Sequence, residues 1–242
     1  MAKHFTGPVQ VFDDDQFTSG GDSTPVTDVG ALAITNDGRK FRYCFVTPTA
    51  TVAGQLFQGP AQVTNHQNLT PSAASIGDTS LTVTLGGTLA HRNQYAGGFA
   101  VVTVTPGVGY SYRIKSHPAA AASASLVLTL DDPIEIALTG TSRIDLMQNP
   151  FSGIIVSPTT MTGPAVGVAT DIISAGNYGW IQSGGPVGVL ADGAVTIGQS
   201  VASSGAVAGA VTNIIATARA IVGHSVTGIA DTEYGSIYLT ID

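Results

Sequence analysis

Charge is what this chain has least of. Only 10% of its 242 residues are Asp, Glu, Lys or Arg, whereas an ordinary soluble domain carries about 25%. Charged helix faces are therefore not what covers its surface. Cysteine occurs once, at Cys44, which excludes an intrachain disulfide. No run of about 18 apolar residues offers a membrane-spanning helix, and the opening stretch MAKHFTGP lacks the apolar segment of a secretory signal. These absences lead us to expect a soluble protein, made in a reducing compartment, without a membrane partner.

Basic residues are scarcer still: 9 Lys and Arg against 16 Asp and Glu give a net charge of −7. Nonspecific nucleic-acid binding depends on Lys and Arg neutralising phosphates, so nucleic acid is not an expected partner. The imbalance has a location. From Leu146 onward there are five acids, Asp171, Asp192, Asp231, Glu233 and Asp242, and one strong base, Arg219. Interface cores are depleted in charge, which makes this half the expected assembly face.

Catalytic signatures are missing as well. There is no phosphate-binding G-x-x-x-x-G-K-[ST] loop, and Gly223-His224-Ser225-Val226-Thr227 lacks the closing glycine of a nucleophile elbow. The Gly86-Gly87 and Gly184-Gly185-Pro186-Val187-Gly188 groups have no helix or acidic partner of a dinucleotide site and read as turns. His4, His66, His91, His117 and His224 show no zinc-ligand spacing. Asp131, Asp132 and Glu135 lack the regular oxygen spacing and central glycine of a calcium loop, and read as a solvated strand end. The only glutamates, Glu135 and Glu233, sit in no recognisable catalytic context. Cys44, between Tyr43 and Phe45, reads as a small core residue. No catalytic residue, cofactor site or metal site is assigned, and no enzymatic activity is expected.

What is present is glycine, 30 residues against a usual share of about 7%, together with many Thr, Ser and Ala. This composition suits strands and turns. Leu81, Val83 and Leu85 alternate with Thr82 and Thr84, and Leu126, Leu128 and Leu130 alternate with Val127 and Thr129, both strand patterns. Residues 99–105 and 110–114 flank Pro106-Gly107-Val108-Gly109, which predicts a hairpin with a four-residue turn. The alanine-rich stretch Pro118 to Ala124 opens with proline and lies between strand patterns, so a loop is expected. After Gly153, apolar runs broken by Gly or Pro recur at 154–156, 166–169, 178–182, 187–190, 195–197 and 236–241, the spacing of a compact barrel or sandwich. One segment is ambiguous. Val207, Val211, Ile214, Ile215, Ala218, Ile221 and Val222 follow a helical stripe, while Gly205, Gly209 and the pair Ile214-Ile215 favour strand; helix and strand both remain open.

The expected fold is mainly β: a small C-terminal barrel or sandwich core, an additional β domain or insertion, and an extended N-terminal arm. The expected boundaries are 1–29 for the arm, 30–71 for a β segment joining the core, 72–139 for the insertion and 140–242 for the barrel. The arm carries Asp13, Asp14, Asp15 and Phe17 as contact candidates and is read either as a segment that orders on a partner or as a mobile extension. Tyr178, Trp180 and Gln182 are further interface candidates. Trp180, the single tryptophan, reads either as an interface anchor or as a core residue of a central strand.

The succession Val166-Gly167-Val168-Ala169, Tyr178-Gly179-Trp180-Ile181-Gln182, Gly185-Pro186, Asp192-Gly193, Ile197-Gly198-Gln199, Ile221-Val222-Gly223 and 234–241 resembles the capsid decoration, or cement, proteins of tailed bacteriophages. Residues 93–98 and 109–118 are similar to segments of phage structural proteins. The resemblance implies a virion protein made in the bacterial cytoplasm, a β-barrel that forms a homotrimer on the outer capsid surface and ties major capsid protein subunits together. The alternatives are another virion component, of tail or coat, or a carbohydrate-binding module in which Tyr95, Tyr110, Tyr112 or Trp180 stack on sugars. A polysaccharide depolymerase would need parallel repeats and clustered carboxylates, and neither is visible.

Overall fold

A computed structural model describes residues 9–12, 20–214 and 221–242. Among the described residues the structure is almost entirely β, with no α-helix and one short 3-10 turn at Thr64–His66. In chain order the strands are β1 (Val9–Phe12), β2 (Leu32–Thr35), β3 (Lys40–Val46), β4 (Leu56–Gln58), β5 (Thr70–Pro71), β6 (Ser80–Thr84), β7 (Phe99–Val104), β8 (Ser111–Ser116) and β9 (Ser125–Leu130). They continue as β10 (Arg143–Met147), β11 (Ser152–Val156), β12 (Ala165–Val168), β13 (Tyr178–Leu190), β14 (Ser200–Ser203), β15 (Val211–Asn213), β16 (Ile221–Ser225) and β17 (Tyr234–Thr240). Two compact units result: Met1–Pro60 with Pro150–Asp242, and Ala61–Asn149.

The unit Ala61–Asn149 is a six-stranded sheet in the order β10-β7-β8-β9-β6-β5. Leu69, beside β5, bridges Ile144 in β10, each N–H donating to the other's carbonyl at 2.8 and 2.9 Å, so the sheet closes on itself. The inward residues of the period-two patterns, Leu81, Val83, Leu126 and Leu128, are fully buried, with Ile114 and Ile144 among their neighbours. Each such side chain contributes about 1.5–3 kcal/mol relative to exposure. The predicted hairpin is β7–β8, in register Phe99↔Arg113 and Val101↔Ser111, with Gly107 and Gly109 at φ of 89° and 91°. Pro118 to Ala124 is a loop in which Ala120 bridges Ala90. The unit is wider than the expected 72–139 because its closing partners, Leu69 and β10, lie on either side of that span.

The other unit holds two closed rings that share β13. In the first, β3, β11, β4, β12 and the start of β13 follow one another, and β13 returns to pair with β3. Cys44, Val46, Phe57, Ile154, Val166 and Ile181 fill it. β13 then bends at an irregularity between Gln182 and Gly184 and pairs with β17 from Gly184 to Leu190. The second ring runs β13-β17-β16-β14-β15, and a parallel bridge between Ala191 and Val211 joins its ends. Val187, Val189, Val201, Val222, Ile237 and Leu239 pack inside. The runs at 178–182 and 187–190, separate in the sequence reading, are thus one strand.

The ambiguous stretch contains strands, β15 at Val211–Asn213 and the start of β16 at Ile221, with residues 215–220 outside the described ones. Gly209 ends any helical continuity: its φ is 74°, and an added Cβ would lie 2.9–3.0 Å from Val156 and Gln55. The run at 195–197 is a turn, not a strand. Val195 bridges Ile229, and Ile197 stands at the tip, 63% exposed.

That turn is one of a set. Ala74, Ile173, Val195 and Ile229 are buried residues in isolated bridges. One residue further on, a carbonyl accepts from the N–H three residues later: Ser75 from Asp78, Ser174 from Asn177, Thr196 from Gln199 and Ala230 from Glu233, at 3.1–3.2 Å. The third turn residue has positive φ at Gly77, Gly176, Gly198 and Thr232, as a type II turn requires. A strand follows each time, so one local device starts β6, β13, β14 and β17.

Candidate interfaces

Alternation along β3 sends Cys44 and Val46 into the first ring and Phe41, Tyr43 and Phe45 outward. The β3–β13 register sets Phe45 opposite Tyr178, Tyr43 opposite Trp180 and Phe41 opposite Gln182. An aromatic strip results on the outer wall. Tyr43 lies 5.0 Å from Trp180 and 6.1 Å from Tyr178, and Phe45 lies 4.8 Å from Tyr178, ring centre to ring centre. Arg39 sits 5.7 Å over the Phe41 ring.

Residues 20–31 run along this strip. Asp22 and Tyr178 exchange N–H to carbonyl bonds, each 2.8 Å, and Gly20 N–H donates to Ile172 O at 2.7 Å. Gly30 N–H donates to Tyr43 O, and Tyr43 N–H to Ala31 O. Val26 N–H donates to the Tyr43 hydroxyl at 3.1 Å. Burial pushes the Tyr43 phenol up to about 12, so it stays protonated. Of the arm expected over 1–29, residues 20–29 are therefore tied to the barrel wall. Asp13, Asp14, Asp15 and Phe17 lie outside the described residues.

The three candidates on β13 share one face but not one fate. Tyr178 and Trp180 are half-buried, Trp180 packing beside Ala33 and Phe41. It is a wall residue of the barrel, neither interior core nor freely exposed anchor. Gln182 is 1% exposed. Its amide donates to Gly184 O at 3.1 Å and Pro186 O at 2.8 Å, holding the bend in β13. A side chain so enclosed cannot meet a partner, which corrects its place among the contact residues.

Within the charge-poor half expected to assemble, one outer face lies on the second ring. Strand residues 184–190, β14, β15, β16 and β17 contain no Asp, Glu, Lys or Arg. The outward row Pro186–Tyr238–His224–Ser200 crosses four strands in register. Tyr234 and Ile221 are each 57% exposed and Tyr238 is 43% exposed. The His224 and Tyr238 rings stack at 5.5 Å. The visible signal was the alternation of Tyr234, Ser236, Tyr238 and Thr240 with Ile237 and Leu239; the interior side of this strand depends on partners far away in sequence.

In Ala61–Asn149 the structure gathers two of the scattered histidines around Tyr95. The Tyr95 hydroxyl meets His66 Nδ1, and His66 Nε2 bonds Thr88 O at 2.9 Å. His117 Nε2 accepts from Tyr95 N–H at 2.9 Å, and its Nδ1 donates to Pro118 O at 2.8 Å. All three side chains are buried, and each ring nitrogen has a partner, so the cluster fastens the loop at 117–118 within the unit Ala61–Asn149. Tyr95 and Tyr112 are 1% and 3% exposed, which removes both from the sugar-stacking reading. Cys44 is fully buried, and its thiol is pushed up to about 12 by burial. Among the described residues, no group of three or more His, Cys, Asp or Glu converges as a metal site. No helix among them is long and apolar enough to cross a membrane.

Comparison with protein-family models, with curated proteins and with solved structures gives no match to this chain.

Proposed function

We propose that this chain is a structural protein of a phage particle, binding the outer surface of the capsid as an oligomer and stabilising the shell, without catalytic activity. One observation carries the reading. Of the segments that resemble decoration proteins, dispersed over residues 166–241, most lie in adjoining strands, 166–168 in β12, 178–182 and 185–186 in β13, 221–223 in β16 and 234–240 in β17, and 192–193 and 197–199 lie in turns. Each of these strands pairs with another of them. These strands belong to one compact unit, Met1–Pro60 with Pro150–Asp242, while the similar segments 93–98 and 109–118 lie in the other; their adjacency supports the reading. A protein that binds only the assembled shell stabilises it by mass action, in proportion to the logarithm of free concentration over Kd.

The test is to purify particles with and without this chain and measure heat-induced genome release. Particles lacking it should release at lower temperature and recover when the purified protein is added back. Unchanged stability, with no binding of added protein, would overturn the proposal.

A further inference from the structure

We propose that His66, Tyr95 and His117 form an acid-sensitive latch: protonation of the two histidines releases the loop at residues 90–98 from residues 114–120, while the two rings of the other unit stay closed.

Among the described residues, His66 and His117 are the only buried side chains whose charge changes near neutral pH, and both bond the same residue, Tyr95. His91 and His224 are exposed. In the other unit, burial raises the Tyr43 phenol and the Cys44 thiol to about 12, so neither titrates in the range where histidines do. An opening driven by mild acid therefore starts at this cluster.

Hydrogen bonds fix the proton on each ring. His66 Nε2 donates to Thr88 O at 2.9 Å, which leaves Nδ1 to accept the Tyr95 hydroxyl. His117 Nδ1 donates to Pro118 O at 2.8 Å, which leaves Nε2 to accept the Tyr95 N–H at 2.9 Å. Both rings are neutral in this arrangement, yet a proton affects them differently. The hydroxyl can turn and accept from a protonated His66. The backbone N–H cannot turn, so it meets a protonated His117 donor to donor. His117 is thus the trigger. Burial holds its pKa down against the Pro118 bond, and His66 lowers it further, so a charge on one histidine opposes a charge on the other.

Nothing nearby compensates such a charge. Residues 61–69, 86–90 and 118–124 contain no Asp, Glu, Lys or Arg. Asp145 accepts the Asn68 N–H at 2.7 Å, and Asp131 pairs with Arg113. His91, Arg92 and Lys115 are exposed and bring only further positive charge. A buried cation without a partner is costly.

The loop depends on this contact. Asn93 N–H donates to His117 O at 3.1 Å, His117 N–H to the Asn93 side chain at 3.0 Å, and Gly97 N–H to Ile114 O at 2.8 Å. Tyr95 is its one large side chain in the core. Displacing His117 removes the first two bonds and the seat of Tyr95 together.

Amide hydrogen exchange of the full chain at pH 7.5 and pH 5, corrected for the intrinsic rate, tests this. With an open-state pKa near 6.5, protonation of His117 raises the open population by at most about 30-fold at pH 5. The Asn93, Tyr95 and Gly97 amides should therefore lose protection several-fold at pH 5, while those of β3 and β13 keep theirs. His117→Gln should abolish the pH-dependent loss, and His66→Gln should reduce it, each in protein that circular dichroism shows to be folded at pH 8. A loss below about twofold in wild type, an equal loss in β3 and β13, or an undiminished loss in either folded variant overturns the inference. Should His117→Gln not fold, the wild-type and His66→Gln measurements decide it.

Discussion

Acid should loosen the unit Ala61–Asn149 through His117. Its Nε2 accepts the Tyr95 N–H and its Nδ1 donates to Pro118 O, so the ring is neutral in this arrangement. Burial holds its pKa below the usual 6.5, more than the Pro118 bond raises it, and nearby His66 adds to the lowering. Protonating Nε2 sets two donors face to face. The lost acceptor and the stranded Tyr95 N–H together cost about 1–3 kcal/mol. A histidine with a depressed folded pKa contributes its full stability above the unfolded value near 6.5. That contribution declines as pH falls below 6.5 and levels off below the folded pKa, by at most about 1.4 kcal/mol per pH unit. One kcal/mol corresponds to about 4–8 °C in Tm for a domain of this size. The assay is thermal unfolding of the full chain from pH 8 to 4.5, comparing wild type with His117→Gln. The variant should be less stable at pH 8 and lose less on acidification, so the curves converge. Parallel curves through pH 6.5 to 5 would refute the reasoning.

Three further outcomes are expected. Leu128→Ala empties a fully buried site in the six-stranded ring and should cost about 2.7–5 kcal/mol by denaturant unfolding. Gly21→Ala should release the segment over the aromatic strip, because φ there is 71° and an added Cβ would overlap Tyr178 O; limited proteolysis should then cut near residue 21 faster than in wild type. Cys44, with its thiol buried and raised to about 12, should react with a thiol reagent at pH 8 only in denaturant, and rapid native labelling would contradict the buried placement.

The strands of the middle unit were legible because alternation is local: Leu81 and Val83, like Leu126 and Leu128, point inward on pairing strands. Ring closure was not. It depends on Leu69 finding Ile144 and β3 finding β13, pairings between residues far apart that no window along the chain contains. The turn device was readable in principle, since Ala74-Ser75-Ile76-Gly77-Asp78, Ile173-Ser174-Ala175-Gly176-Asn177 and Val195-Thr196-Ile197-Gly198-Gln199 share apolar-hydroxyl-apolar-Gly-polar order. It is obscured because Thr232 and not glycine takes the positive φ in the turn after Ile229. It also explains exposed Ile76 and Ile197 as turn tips. Of the interface candidates, Tyr178 and Trp180 lie half-buried in the aromatic strip on the outer wall. Gln182 is enclosed because the bend in β13 consumes its amide, and the exposure of Tyr234 and Tyr238 was not legible because one strand's pattern does not tell which side its sheet leaves open.

The most direct test of the central claim is high-resolution imaging of purified particles that carry this gene product. The account predicts density on the outer capsid surface into which both rings joined by β13 can be traced, in fixed proportion to the coat subunit. Particles in which the chain is absent, or confined to the tail, would contradict it.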